Sequence, residues 1–190
     1  MAIPISAIIL NLIQSAMEGV TVANGYQVTV AEVYRVTTLG GYSRTPPGSY
    51  IVQMVVGDDQ RAEELDIQGA EPVIAWRMPI ELGLIYRPSD TNTTPIDQIL
   101  RQFLADVTRA IMDDPQWSQY AMDTTLGPPQ AWANQEAGEV GYTANMSVAY
   151  RVKESDPYQL PSNPPAWTMI LDGGHADTEE YDLIIEANGI

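Results

Sequence analysis

Two pairs of adjacent aspartates, Asp58-Asp59 and Asp113-Asp114, are the first residues of this chain with the means for chemistry. Paired carboxylates suit glycosidic or metal-assisted hydrolysis. Loop entrances and helix ends carry such pairs as plain solvated charge, however, and neither pair falls in the D-x-D-x-D-G spacing of a calcium loop. Histidine chemistry rests on a single residue, His175, with Asp172 and Asp177 close in sequence. These three have metal-ligand chemistry, but a polar turn around Gly173-Gly174 calls for the same residues, and the turn is the preferred reading. There is no G-x-S-x-G, H-E-x-x-H, G-x-G-x-x-G or P-loop pattern. The absence of cysteine removes disulfides, thiolate chemistry and cysteine-ligated zinc. Solvated loop charge and a polar turn are therefore the preferred readings, and no cofactor and no metal are expected.

The remaining candidates are contact residues. Trp117, Tyr120, Trp132 and Tyr142 could line a pocket, with core packing the preferred reading. A net charge of −16 and a pI near 4.1 argue against nucleic-acid binding through a general basic surface. Against that acidity, Arg151 and Lys153, the only lysine, stand on the polar face of a strand just before Asp156. Two positive groups there are natural docking points for acidic groups of a neighbouring subunit.

The elements that must position these residues are legible from periodicity. Residues 3–17 place Ile5, Ile8, Ile9, Leu12, Ile13, Ala16 and Met17 on one helical stripe, with Pro4 in the first turn and Gly19 past the end. Polar interruptions and the lack of a preceding basic residue make this a soluble amphipathic helix rather than a signal peptide, and no stretch is long enough to span a membrane. Residues 26–38 alternate as a strand with one wet face, broken at Glu32. The stretch 39–48, with Gly40-Gly41 and Pro46-Pro47, reads as a long hairpin loop into a second strand, Tyr50–Val56. An acidic connection with a short helical turn at 61–65 leads to a third strand at 74–87, where Pro79 and Gly83 suggest a bulge or an edge position. Thr94-Pro95 signals the start of a second helix, with threonine placed to cap. Its stripe is Ile96, Ile99, Leu100, Phe103, Leu104, Val107, Ala110 and Ile111, and Asp97, Arg101, Gln102, Asp106 and Arg109 lie mostly outside it. A short strand at 121–126 and a loop precede the cleanest alternation in the chain, 140–153, whose apolar face runs Val140, Tyr142, Ala144, Met146, Val148, Tyr150 and Val152.

Single apolar stripes on the helices and single apolar faces on the strands predict an α+β fold: an antiparallel sheet of four to five strands with two amphipathic helices packed on one face, in the order α-β-β-β-α-β-β. The domain should cover residues 1–159. A proline-rich linker opens the remainder, 160–190, which reads as a C-terminal hairpin extension.

This order, with a second helix ending D-D-P-Q-W and a last strand ending A-Y-R-V-K-E-S-D-P-Y, resembles the tail terminator, or tail-completion, proteins of long-tailed bacteriophages. The likeness covers residues 3–159 and is carried by residues 96–115 together with Tyr150, Arg151, Asp156 and Pro157. It implies a structural virion protein that is not an enzyme, a homo-oligomer forming a hexameric ring that caps the tail tube, ends its polymerisation and offers a surface for head joining. Its partners would be the tail tube protein and a head-completion or neck protein. DNA would pass through the lumen without specific binding, and no membrane is involved. Assembly would take place in the host cytoplasm and the protein would end at the head-tail junction of the virion. The expected subunit interface is Tyr150, Arg151, Lys153, Asp156 and Tyr158, and the expected tube or neck contacts are Tyr42, Arg44, Asp58, Asp59 and Arg61. The competing readings are a neck or head-tail connector subunit and, from another class, an acidic ligand-binding or hydrolytic domain that uses its aromatics.

Overall fold

The computed structural model describes residues 3–39, 46–68, 72–90, 93–113, 117–156 and 158. Within them the chain forms α1 (Ile5–Glu18), β1 (Val30–Val36), β2 (Tyr50–Val56), β3 (Gln60–Arg61), β4 (Val73–Tyr86), α2 (Ile96–Met112), β5 (Ala121–Leu126), β6 (Gln130–Asn134) and β7 (Glu139–Lys153). The chain divides into two units, Met1–Leu160 and Pro161–Ile190, and every described residue belongs to the first. The hairpin expected in 160–190 lies outside the described residues.

The fold is α+β, with two helices and a mixed sheet of seven strands in the order β1-β2-β4-β7-β5, β3 pairing beside β4 and β6 beside β7. Strands β4 and β7 are its spine, antiparallel without a break from Val73↔Lys153 to Tyr86↔Val140. Alternation turns one side of this spine inward. Met78, Ile80, Leu82 and Leu84 of β4 join Met146, Val148, Tyr150 and Val152 of β7 and Val52 and Met54 of β2 in one buried cluster. The helices lie on that side. Ile5, Ile9, Ile13 and Met17 of α1 and Phe103, Val107 and Ile111 of α2 enter the same cluster. Each such apolar side chain contributes about 1.5–3 kcal/mol by leaving water. Tyr50 stacks on Tyr86 at 4.9 Å between ring centres and meets the edge of Phe103 at 5.1 Å, which fixes α2 against the β2–β4 ladder.

Four expectations are corrected. First, β1 and β2 do not form a hairpin but run parallel, Val30↔Tyr50 to Val36↔Val55. An apolar-polar alternation looks the same in either direction, whereas the thirteen residues between Val36 and Tyr50 are enough for the crossover that a parallel pair needs. The interruption at Glu32 is a register shift between Val30 and Glu32, after which Val33 rather than Tyr34 is the buried residue.

Second, β4 is neither bulged nor at an edge. Proline is tolerated because both main-chain groups of an antiparallel residue point to the same side, and the Pro79 carbonyl accepts from the Gly57 N–H at 2.9 Å. The missing N–H therefore faces the gap between β2 and β3, and no bond to β7 is lost. Gly83 makes room on the sheet's far side for Leu39, whose methyl lies 2.9 Å from where a Cβ would stand.

Third, the stretch read as a loop before the last strand contains β6, hairpinned onto β7 through a turn closed by Gly138 at φ 64°. This strand and the two-residue β3 raise the count from the four to five expected to seven. Fourth, Thr94 does not cap α2: Pro95 is the N-cap and no side chain bonds there.

Candidate assembly surface

Of the ten residues singled out as contacts, Tyr42 and Arg44 lie outside the described residues. The others fall into one corner, where the acidic connection after β2 folds over the end of the β4–β7 spine. The two expected groups, strand residues and loop residues, meet there. The Tyr150 hydroxyl donates to Asp59 Oδ2 at 2.6 Å, with the Tyr150 ring buried in the core and Asp59 exposed. Burial, and then the Asp59 carboxylate, raise the Tyr150 hydroxyl well above the ordinary tyrosine value.

Arg151 corrects the expected wet strand face, being only 2% exposed. Its Nε and one terminal nitrogen donate to the Leu65 carbonyl at 3.0 and 2.7 Å. The cause is the segment 62–67, which lies across this end of the sheet and turns a face that alternation marks as solvated into an interior. Burial lowers the Arg151 guanidinium from its usual value. That segment is itself pinned by Asp66, a residue the sequence reading passed over. The Ala75 N–H, past the end of the short β3 ladder, donates to Asp66 Oδ1 at 2.8 Å, so a carboxylate stands in for the next strand. Arg61 meets the other oxygen of Asp66 at 2.8 Å. The Ala75 N–H first, then Arg61, hold the Asp66 carboxyl below its usual range. Arg77 reaches Glu64 at 3.2 Å across the surface, a pair exposed enough to add little.

Lys153 closes the spine opposite Val73, and its carbonyl accepts from the Asp156 N–H at 3.1 Å; the Asp156 carboxylate in turn accepts from the Tyr158 N–H at 3.0 Å. Tyr158 is 46% exposed and Asp58 is exposed. The corner therefore sorts the expected contacts. Tyr150, Arg151 and Arg61 are engaged in holding the acidic connection to the sheet, and Asp58, Asp59 and Tyr158 present themselves outward.

A second missed carboxylate is Asp106, read as lying outside the α2 stripe. It is 5% exposed and accepts from the N–H groups of Gln27 at 2.6 Å and Val28 at 2.8 Å. The signal was present: position 106 stands three residues after Phe103 and four before Ala110, on the buried face. Arg109, one turn on, donates to the Gly25 carbonyl at 2.8 Å and lies 4.1 Å over the Tyr26 ring. Of the aromatics, Trp117 is fully buried and donates to Thr124 Oγ1 at 2.9 Å, and Trp132 lies against Gly141 across the β6–β7 pair.

For hydrolytic or metal chemistry the described residues offer no assembled site. Asp58 and Asp59 head an exposed connection, Asp113 ends α2, and Asp114, Asp172, His175 and Asp177 lie outside the described residues. Among the described residues no three His, Cys, Asp or Glu side chains gather around a possible metal position, and no helix is long and apolar enough to cross a membrane. The chain matches no protein-family model and no curated protein.

Proposed function

We propose that this protein is a tail terminator of a long-tailed bacteriophage, a ring subunit that caps the tail tube and offers a surface for head joining. The observation that carries the reading is the mixed sheet with an edge at each end. β1 lies at one end and β5 with β6 at the other, and among the described residues no strand pairs with their outer sides. A subunit with different edges at its two ends adds head to tail, and such contacts close into a ring when the rotation between copies permits. The finer element order agrees with this reading where α1, β1, β2, β4, α2, β5 and β7 follow the α-β-β-β-α-β-β succession, and departs from it in β3 and β6.

Acidity supports the same reading. Six chains at −16 each carry roughly −100 formal charges, and carboxylates facing a lumen would repel passing DNA. In the ring, Lys153, Asp156 and Tyr158 serve the subunit contact directly, while Tyr150 and Arg151 act by holding the connection that carries Asp58 and Asp59 toward the tube or neck. The decisive experiment is genetic, combined with light scattering on purified protein. A null mutant should yield polymerised tails of uncontrolled length that do not join heads, and the purified chain should form rings or bind tail tubes. Tails of normal length from the null mutant would end the proposal, and electron microscopy of intact particles that places the chain off the end of the tail tube would transfer it to the connector class.

A further inference from the structure

The two helices do not cover the whole of the sheet's inner side. Beyond α2, the helix-side residues Tyr142 and Ala144 of β7 and Leu126 of β5 floor an open groove. Its walls are Leu104, Thr108 and Met112 of α2 on one side and Pro128 and Pro129 of the β5–β6 turn on the other. Two adjoining hollows make it up, about 790 and about 380 Å3, sharing Leu104, Thr108, Met112 and Pro129. Met112 is 47% exposed there, which leaves a large apolar side chain open to solvent at the groove. The groove follows α2 from Arg101 to Asp113, about 18 Å at the helical rise, or a little over three turns.

Its charge differs from that of the chain. Arg101 and Arg109 both line it, with Asp113 the acidic group at the far end. Arg109 is tied to Gly25 and Tyr26, whereas Arg101 makes no hydrogen bond or ion pair with any described residue. In a chain of net charge −16 this is an apolar trough with a positive rim. An acidic partner is repelled by the surface as a whole and attracted at this rim, which sets where and in what register it docks.

We infer that the groove beside α2 receives an acidic amphipathic helix from a partner protein, its apolar stripe on Tyr142, Leu104 and Met112 and a carboxylate at Arg101. Such a helix takes the position next to α2 over β7 and β5, completing the layer at the usual spacing of about 8–10 Å between packed helices. The inference does not rest on the ring proposal: the groove adjoins the β5 edge through Leu126 and the β5–β6 turn, but its occupant meets side chains of α2 and β7 rather than a strand edge.

The test uses the full chain and two fluorescein-labelled helical peptides of equal length, each with leucines at i, i+3, i+4 and i+7, one flanked by glutamates and one by lysines. Anisotropy should show saturable binding of the glutamate peptide and at least about tenfold weaker binding of the lysine peptide, with the preference reversed by Arg101→Glu. Thr108→Trp, which fills the groove, and Met112→Asp, which alters only an exposed position, should each abolish binding while the circular dichroism and melting of the protein stay unchanged. Equal binding of the two peptides, or binding that survives both groove variants, would overturn the inference. So would an oligomer that Met112→Asp dissociates, because the groove would then belong to a second copy of this chain.

Discussion

The hydroxyl of Tyr150 and the carboxylate of Asp59 meet at 2.6 Å although 91 residues separate them, joining the last described strand to the connection after β2. The bond is charge-assisted and half sheltered, so Tyr150→Phe should destabilise the protein by about 1–2 kcal/mol. Urea unfolding measures the loss. Limited proteolysis should show faster cleavage in residues 57–61 of the variant. Equal stability and equal cleavage would mean that the bond does not hold the connection in place.

Asp66 makes the corner sensitive to acid. Its carboxyl is held below the ordinary value of 3.8 by the Ala75 N–H and by Arg61, so the folded state favours the ionised form. The sign follows: the contribution is whole above the unfolded value and is lost as the pH falls through the lower folded value. The stability difference between the wild-type chain and Asp66→Asn should hold constant from about pH 6 to about pH 5 and shrink below about pH 4. A difference independent of pH in denaturant titrations would show that the charge of Asp66 contributes nothing.

Asp106→Ala should be among the most damaging single polar substitutions, costing about 2–3 kcal/mol, because it strips the N–H groups of Gln27 and Val28 of their acceptor. Asp106→Asn keeps an acceptor oxygen and should recover part of the loss. Arg109→Ala removes a more exposed contact to the same loop and should cost about 1 kcal/mol or less. Thermal melting of the three variants checks the ranking.

Gly141→Ala should block folding of the β4–β7 spine. A Cβ at this position would collide with the Leu84 carbonyl oxygen and press on the Trp132 ring at 3.1 Å. A loss above about 3 kcal/mol is expected, with little soluble protein recovered. Gly138→Ala meets open space and offends only the backbone at φ 64°, so it should cost about 1 kcal/mol. If the two variants were equally stable, the crowding at Gly141 would be relieved by a shift between the strands.

What could be read in advance depended on the reach of the signal. Helix α2 and strands β2, β5 and β7 were legible almost to the residue because their periods are local, as in the run Met146, Val148, Tyr150, Val152. Strand direction was not legible, since the parallel pairing of β1 with β2 is a property of the route between them and not of either strand. β6 was missed because Gln130 to Asn134 is exposed at all positions but Trp132 and shows no apolar alternation. At the corner, Tyr150 and Asp59 were each singled out, but their meeting was not, for contacts between distant segments leave no spacing to read. Arg151 failed most plainly, because a strand face reads as wet until one knows that residues 62–67 cover it.

The spine has a temporal side as well. β7 alone completes the ladders of β4, β5 and β6, and the earlier strands leave a ribosome with their central partner still unmade. Val73 and Lys153 are neighbours in space but 80 positions apart, the kind of pairing whose closure entropy slows folding. Until residue 139 and its successors emerge, the apolar side of β4 has helices above it but a bare flank, a nascent state open to aggregation or chaperone capture. Chains stalled before β7 should therefore remain protease-sensitive, and the emergence of β7, rather than the synthesis of either helix, should mark the onset of the native state.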